Sequence, residues 1–359
     1  MPRRPAKPNG IREIATALGI SIGTVDRALH NRPGISEQTR ERVLRMAKKL
    51  NYSPNVAARH LKLSRTLRFG IFLPERVAVF FDSMRAGMRL AAERLATTAP
   101  LELHFFSFPR LGDGDVECME RARWRQFDGI VLAPGNPSAL SALFRREDAP
   151  PILFIGSDAP LLGRIASVSV DATVSGNIAA DMLGRVLPEA AKVAMIAGDL
   201  RIQDHSEKLR GFSASLAVHA PHLRLLPPLE SHEDPEEGYQ AARRLFRRHR
   251  DLGGIYLGTA NSLPVLRAAD EAKLLGRLKI VTTDIFPELI PLIETDRILC
   301  SVHQRPFTQG RMAIELLYAH LLGLKTVPPI TRVAPHLVLR SNLSLFADGL
   351  DQDTQLLSE

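Results

Sequence analysis

From Ile11 to Asn31 apolar side chains recur at helical spacing in two short runs. Ile14, Ala15 and Leu18 share one face, and after Gly19 the residues Ile20, Val25 and Leu29 resume the spacing. This period predicts two amphipathic helices. Ser21 suits the N-cap of the second, and Gly19 tolerates the positive φ of a tight turn between them. A third helix is predicted from its N-cap Ser36, with Val43, Met46, Ala47 and Leu50 at core spacing, and Tyr52-Ser53-Pro54-Asn55 stops it. On this pattern Ile22, Gly23, Asp26 and Arg27 face outward from the second helix. A steep crossing of this kind lets a helix-turn-helix lay its second helix in a DNA major groove; an ordinary helical hairpin is the alternative.

Beyond Leu67 the period changes. RFGIFLP, LELHFFSF, GIVLAP and PILFIG read as buried strands, with SMRAGMRLAAERL as an amphipathic helix after the first. KVAMIAG, LRLLPP, GGIYLG and LKIVTTD then repeat the rhythm, separated by the helical stretches LRGFSASLAVHA, YQAARRLFRRH and LPVLRAADEAKLL. Strands alternating with helices predict a doubly wound parallel sheet, and the repetition predicts two lobes. Ligands of such sheets bind beyond the carboxyl ends of the strands, so two facing lobes imply a cleft.

Charge sharpens the division. The 359-residue chain has a net charge of +8, yet residues 1–68 hold 15 Lys and Arg against 4 Asp and Glu, leaving 32 against 35 for the rest. A basic head on a near-neutral body is the footprint of a nucleic-acid-binding module. No stretch approaches the roughly 18 apolar residues of a membrane span, and MPRRPAKPNG is not followed by an apolar segment, so a cytoplasmic location is expected. Cys118 and Cys300 lack disulfide or metal-ligand spacing and are expected to be buried free thiols. There is no P-loop, GxGxxG, HExxH or GxSxG motif, so no enzyme and no cofactor are expected.

The stretch TVDRALHNRPGISEQTRERVLRMAKKLNYSPNVAARHLK resembles the head of the LacI/GalR transcription regulators, which carry a TVSR-type recognition helix, a capped third helix and an NYxPN-x-xAR-x-L hinge. The resemblance implies an all-α three-helix helix-turn-helix head over residues 1–53. A hinge helix and linker over 54–66 would join it to an α/β two-lobed periplasmic-binding-protein-like body over 67–342, and 343–359 would be a frayed tail. The first lobe would span about 67–166 and 305–333, the second about 167–300 and 334–342, with crossings near 167–171, 300–305 and 333–337.

The resemblance also implies roles. Thr24, Ser36, Tyr52 and Asn55 match phosphate contacts, and Ile22 and Gly23, after Ser21, occupy variable specificity positions. Arg27 suits guanine, since a guanidinium donates twice to O6 and N7, with a phosphate contact as the alternative. Asp26 departs from the family's serine; it either accepts from a cytosine amino group or clips Arg27 or Arg32. Leu61, flanked by Ala58 and Lys62, stands at the place of a minor-groove wedge, a flexible tether being the alternative. The partners implied are pseudo-palindromic operator DNA, a second copy of the chain and a small sugar, sugar acid, polyol or sugar phosphate.

In the body, Asn261, Asp284 and Gln304 fall at three strand ends, where carboxylate and amide groups would bond ligand hydroxyls. Loop caps explain each of them alone equally well. Phe80 and Phe81 stand where related folds stack an aromatic ring on a sugar. Lys208 replaces a pyranose-binding arginine, and Asp158 lies two residues beyond Gly156, where an aspartate is usual. Lys208, with His205 and Arg210 nearby, would suit an anionic group, or else all three belong to a solvated helix start. A secreted solute-binding protein is the alternative function.

Overall fold

The computed structural model describes residues 11–29, 34–50, 66–96, 100–144 and 149–347. The expected DNA-contacting residues Tyr52, Asn55, Ala58, Leu61 and Lys62 lie outside the described residues.

The head contains α1 (Ile11–Leu18), α2 (Ile22–Leu29) and α3 (Glu37–Lys49). Ile14, Val25 and Val43 are fully buried and, with Ala15, Ala28 and Ala47, form its core; Met46 and Leu50 pack at the edge. Gly19 has φ +64°, the left-handed turn that the sequence required. The Ser36 hydroxyl accepts the Thr39 amide at 3.2 Å, capping α3.

The body, taken by itself, has two sheets. The first combines β1 (Leu67–Pro74), β2 (Leu101–Phe108), β3 (Gly129–Leu132), β4 (Ile152–Ile155), β5 (Ala166–Val170) and β12 (Ile330–Val333) in the order β12-β5-β4-β3-β1-β2. All its pairs are parallel. The second combines β6 (Lys192–Ala197), β7 (Arg224–Leu225), β8 (Leu229–Glu230), β9 (Leu252–Leu257), β10 (Lys279–Thr283), β11 (Cys300–His303) and β13 (His336–Val338). Its order is β13-β11-β10-β9-β6-β7, with β8 also on β6 and β13 alone antiparallel. Residues of β9 alternate between two cores: Ile255 and Leu257 enter one, Tyr256 the other. Both faces are therefore buried, as parallel sheets require.

Helices α4 (Ala78–Ala96), α5 (Asp115–Arg121), α6 (Pro137–Phe144), α7 (Ala172–Val186), α8 (Gln203–His219), α9 (Pro235–Arg248), α10 (Leu263–Glu271), α11 (Ile290–Glu294) and α12 (Pro306–Leu321) cover the sheets. Glycine lets two helix pairs approach closely. A Cβ on Gly310 of α12 would lie 2.0 Å from the Met84 carbonyl of α4, and one on Gly176 of α7 would lie 2.1 Å from the Lys208 carbonyl of α8.

Three sequence expectations change. The expected first-lobe limit at residue 166 cuts into β5, which pairs with β4 and β12, so the crossing comes at Asp171. ASVSV hides this strand because its side chains are small and two of the five are hydroxylic. The expected second-lobe limit at 300 likewise cuts β11 from the sheet that holds it. The expected tail begins too early: Leu343 and Phe346, one helical turn apart in α13 and its lead-in (α13 is Ser344–Ala347), are buried in the second-lobe core. Cys118 and Cys300 are buried and free, as expected. Among the described residues no helix is long and apolar enough to cross a membrane.

Candidate functional site

Two surfaces carry the expected residues. In the head, burial of Val25 and Ala28 turns the opposite side of α2 outward. Ile22 is 49% exposed, Gly23 and Arg27 are exposed, and Thr24 and Asp26 are half-buried. The Ser21 Oγ accepts the Thr24 amide at 3.1 Å and meets the Thr24 hydroxyl at 2.9 Å, so these two hydroxyls fix the start of α2. The outward side of α2 thus offers a short apolar and backbone surface beside the Arg27 guanidinium.

In the body, the cleft holds two adjoining chambers that share Val77, Phe80 and Ala260. The larger, about 480 Å³, is lined mainly by apolar side chains, among them Val79, Ile285, Phe286 and Phe346, with Asn261, Asp284, Glu288 and His303 as its polar residues besides Ser83. The smaller, about 40 Å³, is lined by Phe81, Ala133, Gly156 and Ser157 from the first lobe and by Asp204, His205, Lys208, Glu233, Thr259 and Gln304. The Phe80 and Phe81 rings meet edge to face at 5.0 Å.

A chain of short hydrogen bonds runs through the polar wall. Lys208, 1% exposed, donates from Nζ to Asp204 Oδ2 and to Gln304 Oε1, both at 2.6 Å. Gln304 in turn donates from Nε2 to Asp284 Oδ2 at 2.6 Å and from its amide to Asp284 Oδ1 at 2.8 Å. His303 Nδ1 lies 3.2 Å from the same Oδ1. Asp284 itself has φ +64°, a left-handed conformation that costs a non-glycine residue and is held by these bonds. Asp284 and Gln304 are therefore bonded to each other, whereas Asn261 stands apart with its Nδ2 buried and, among the described residues, unpartnered. Burial pulls the Lys208 ammonium pKa down, but Asp204, with Tyr256 and Asp284 beyond it, outweighs burial and raises it. Burial pushes the Tyr256 phenol up to about 12, against the opposing pull of Lys208.

A second polar group adjoins the first. His205 Nε2 lies 3.3 Å from Glu233 Oε1, and the Thr259 hydroxyl donates to Glu233 at 2.7 Å. Gly198 makes room for both, since a Cβ there would lie 2.1 Å from Glu233 Oε1 and 2.2 Å from the His205 ring. Bonds between the lobes close the cleft: the Ser157 hydroxyl accepts the Asp204 amide at 3.3 Å, Arg110 donates to the His232 carbonyl at 3.1 Å, and Arg332 donates to Glu207 at 3.0 Å. Arg76 bonds Asp234 at 2.5 Å and holds its carboxyl below the usual carboxylate range.

The structure brings Phe80, Phe81, Lys208, Asn261, Asp284 and Gln304 to the cleft but not Asp158. Both oxygens of Asp158 are taken by the Arg164 guanidinium, and Ser167 donates to one of them at 3.0 Å, so its carboxylate is a structural clip. The solvated-start alternative also fails for Lys208 and His205, which are buried, and holds for Arg210, which is exposed. Asp204, Glu233 and Thr259 escaped the sequence reading. Asp204 had a signal, its i,i+4 spacing to Lys208; Glu233 had none, because the fold alone brings it to His205.

Comparison with known proteins fits both surfaces. Residues 10–55 match the family described as bacterial regulatory proteins, lacI family, and residues 69–325 match the periplasmic binding protein domain. Catabolite control protein A of Priestia megaterium is 23% identical over 331 residues, covering 91% of this chain and 96% of that protein. The protein of the same name from Streptococcus mutans is 26% identical over 239 residues, 66% of this chain and 69% of that one. A glucose-galactose binding protein from Geobacillus stearothermophilus superposes with a TM-score of 0.69 at 20% identity, over 78% of this chain and 99% of its own. A solute binding protein from Bacillus halodurans with bound myo-inositol gives 0.70 at 14%, over 80% and 99%. At these identities the two structures establish the fold of the body.

Proposed function

Because this chain belongs to the LacI family of bacterial regulatory proteins, DNA-binding transcription regulators, and carries a periplasmic binding protein domain, we propose that it is a homodimeric repressor controlled by a sugar-like effector in the cleft. The observation that carries the reading is the conjunction of a basic head, whose α2 presents Ile22, Gly23 and Arg27, with a closed polar cleft in the body.

Each head reads half of a pseudo-palindromic operator. Arg27 contacts a guanine, Ile22 and Gly23 allow close approach to the groove, and Ser21, Thr24 and Ser36 position the head on phosphates. Asp26 acts as a clip within the head. Tyr52, Asn55, Ala58, Leu61 and Lys62 complete the contact, with Leu61 as the minor-groove wedge that kinks the duplex. Residues Asp82 to Leu95 of α4 supply subunit contacts. The named relatives are catabolite control proteins and the structural neighbours are carbohydrate-binding proteins, which supports a sugar or polyol as effector. Effector and operator communicate through a coupling free energy of about 1–3 kcal/mol, equal in both directions. The effector's lobe-bridging contacts supply that energy by favouring one arrangement of the lobes.

Selection from a randomised DNA pool at fixed salt tests the reading. Recovery of one pseudo-palindrome supports it, and Arg27→Ala is expected to cost roughly 1–3 kcal/mol at one operator position while relaxing specificity there. A uniform loss over all sequences would reassign Arg27 to phosphate. Purely non-specific DNA binding, with a ligand still bound in the cleft, would favour the solute-binding alternative.

A further inference from the structure

We propose that the effector carries a protonated amine, seated in the smaller chamber between Asp204 and Glu233. The inference rests on the reading of the cleft as the effector site and narrows the class of ligand it takes.

Charge and hydrogen bonding in the chamber both lead there. Its ionisable lining is Asp204, Glu233, His205 and Lys208. His205 is held on both ring nitrogens, with Nδ1 2.9 Å from the Asp199 amide nitrogen and 3.1 Å from its carbonyl and Nε2 3.3 Å from Glu233 Oε1. Two carboxyl groups therefore line the chamber with one lysine, and that lysine is already engaged. Lys208 donates one N–H to Asp204 Oδ2, and Gln304 Oε1 accepts another. The other oxygen of Asp204, Oδ1, is buried without a hydrogen-bond partner among the described residues, in a residue only 8% exposed. An unmatched buried carboxylate oxygen is costly, and a donor that also brings positive charge relieves both deficits at once.

An anion would meet the reverse. A carboxylate or phosphate would lie against Asp204 and Glu233, with Lys208 already committed, so the anion-binding role expected for Lys208 does not survive its burial beside Asp204. Size agrees as well. At about 40 Å³ the chamber has room for a few water-sized groups, enough for an ammonium but not for a sugar ring. The ring or chain of the effector belongs in the neighbouring 480 Å³ chamber, against Phe80, with the unpartnered Asn261 Nδ2 available to one of its hydroxyl oxygens. The amine-bearing polyols, amino sugars among them, combine these features.

The test is calorimetric titration of the full chain with matched sets, each holding one carbon skeleton as the amine, the neutral alcohol and the acid or phosphate. D-glucosamine, D-glucose and D-glucose 6-phosphate form one set; aminated, neutral and phosphorylated inositol form a second. The amine is expected to bind at least about tenfold more tightly than its neutral partner, a difference well above the scatter of such titrations. Glu233→Gln, which leaves the Lys208–Asp204 pair intact, is expected to erase that preference, read as the ratio of the amine's affinity to the neutral compound's in the same variant; Asp204→Asn should do the same where it folds. Equal or tighter binding of a neutral or anionic member, or binding by no amine, would overturn the proposal. The effector reading fails separately, if no compound of any charge changes operator affinity.

Discussion

The two walls of the cleft are built from the same fold and yet differ in kind. In the smaller chamber the first lobe contributes Phe80, Phe81, Ala133, Ile155 and Gly156, with Ser157 as its one hydroxyl; the second contributes Asp204, His205, Lys208, Glu233 and Thr259. Both lobes have parallel sheets wound by helices, and both use a glycine to draw two helices together, Gly310 in the first and Gly176 in the second. The fold was repeated and the chemistry was not. One wall offers shape and an aromatic face, and the other fixes charge and hydrogen-bond direction.

The difference implies that the second wall is the one whose disruption is most costly. Lys208→Met leaves Asp204 charged and buried without its counter-ion, and unfolding free energy should fall by about 3–5 kcal/mol in denaturant titration. Adding Asp204→Leu is expected to restore most of that loss, since removing both members of a buried pair is far milder than removing one. If the single and double variants prove equally unstable, the pair is not what holds this wall.

Alkaline pH is expected to reach the same wall with a smaller effect. The folded pKa of Tyr256 is raised from 10.0 to about 12, and that of Lys208 is raised from 10.5. In both cases the folded state holds its proton more tightly than the unfolded chain does. Their contribution is therefore complete below pH 10 and is lost as pH climbs through the folded values. Tyr256 alone should account for on the order of 2 kcal/mol between pH 10 and 12. Tyr256→Phe is expected to flatten that decline, and an unchanged slope would place the titrating group elsewhere.

Much of this arrangement was legible in the sequence, and the exceptions have physical causes. The helical period from Ile14 to Leu50 and the turn at Gly19 gave the head, because each local preference agrees with its final core. Asn261, Asp284 and Gln304 were legible as strand-end residues, since a polar side chain after a buried run marks the place where strands stop. Their mutual bonding was not: whether Gln304 meets a ligand or Asp284 depends on a left-handed turn at Asp284 that no periodicity encodes. Lys208 was legible as a cleft residue at the place of an arginine, but not its burial, since lysine is seldom buried and only the fold brings Gln304 to it beside Asp204. Asp158 misled for the opposite reason, as its partner Arg164 lies six residues on, outside any helical or strand spacing.

The most direct test of a regulator whose cleft governs its DNA binding is reciprocal titration. The tightest cleft ligand from the matched sets is titrated into the protein alone and into the protein saturated with its selected operator. The two affinities are expected to differ by a factor of about 5–150, and the ligand to change operator affinity by the same factor. Identical ligand affinities with and without operator would contradict this coupling, because a cleft that does not sense DNA cannot control it.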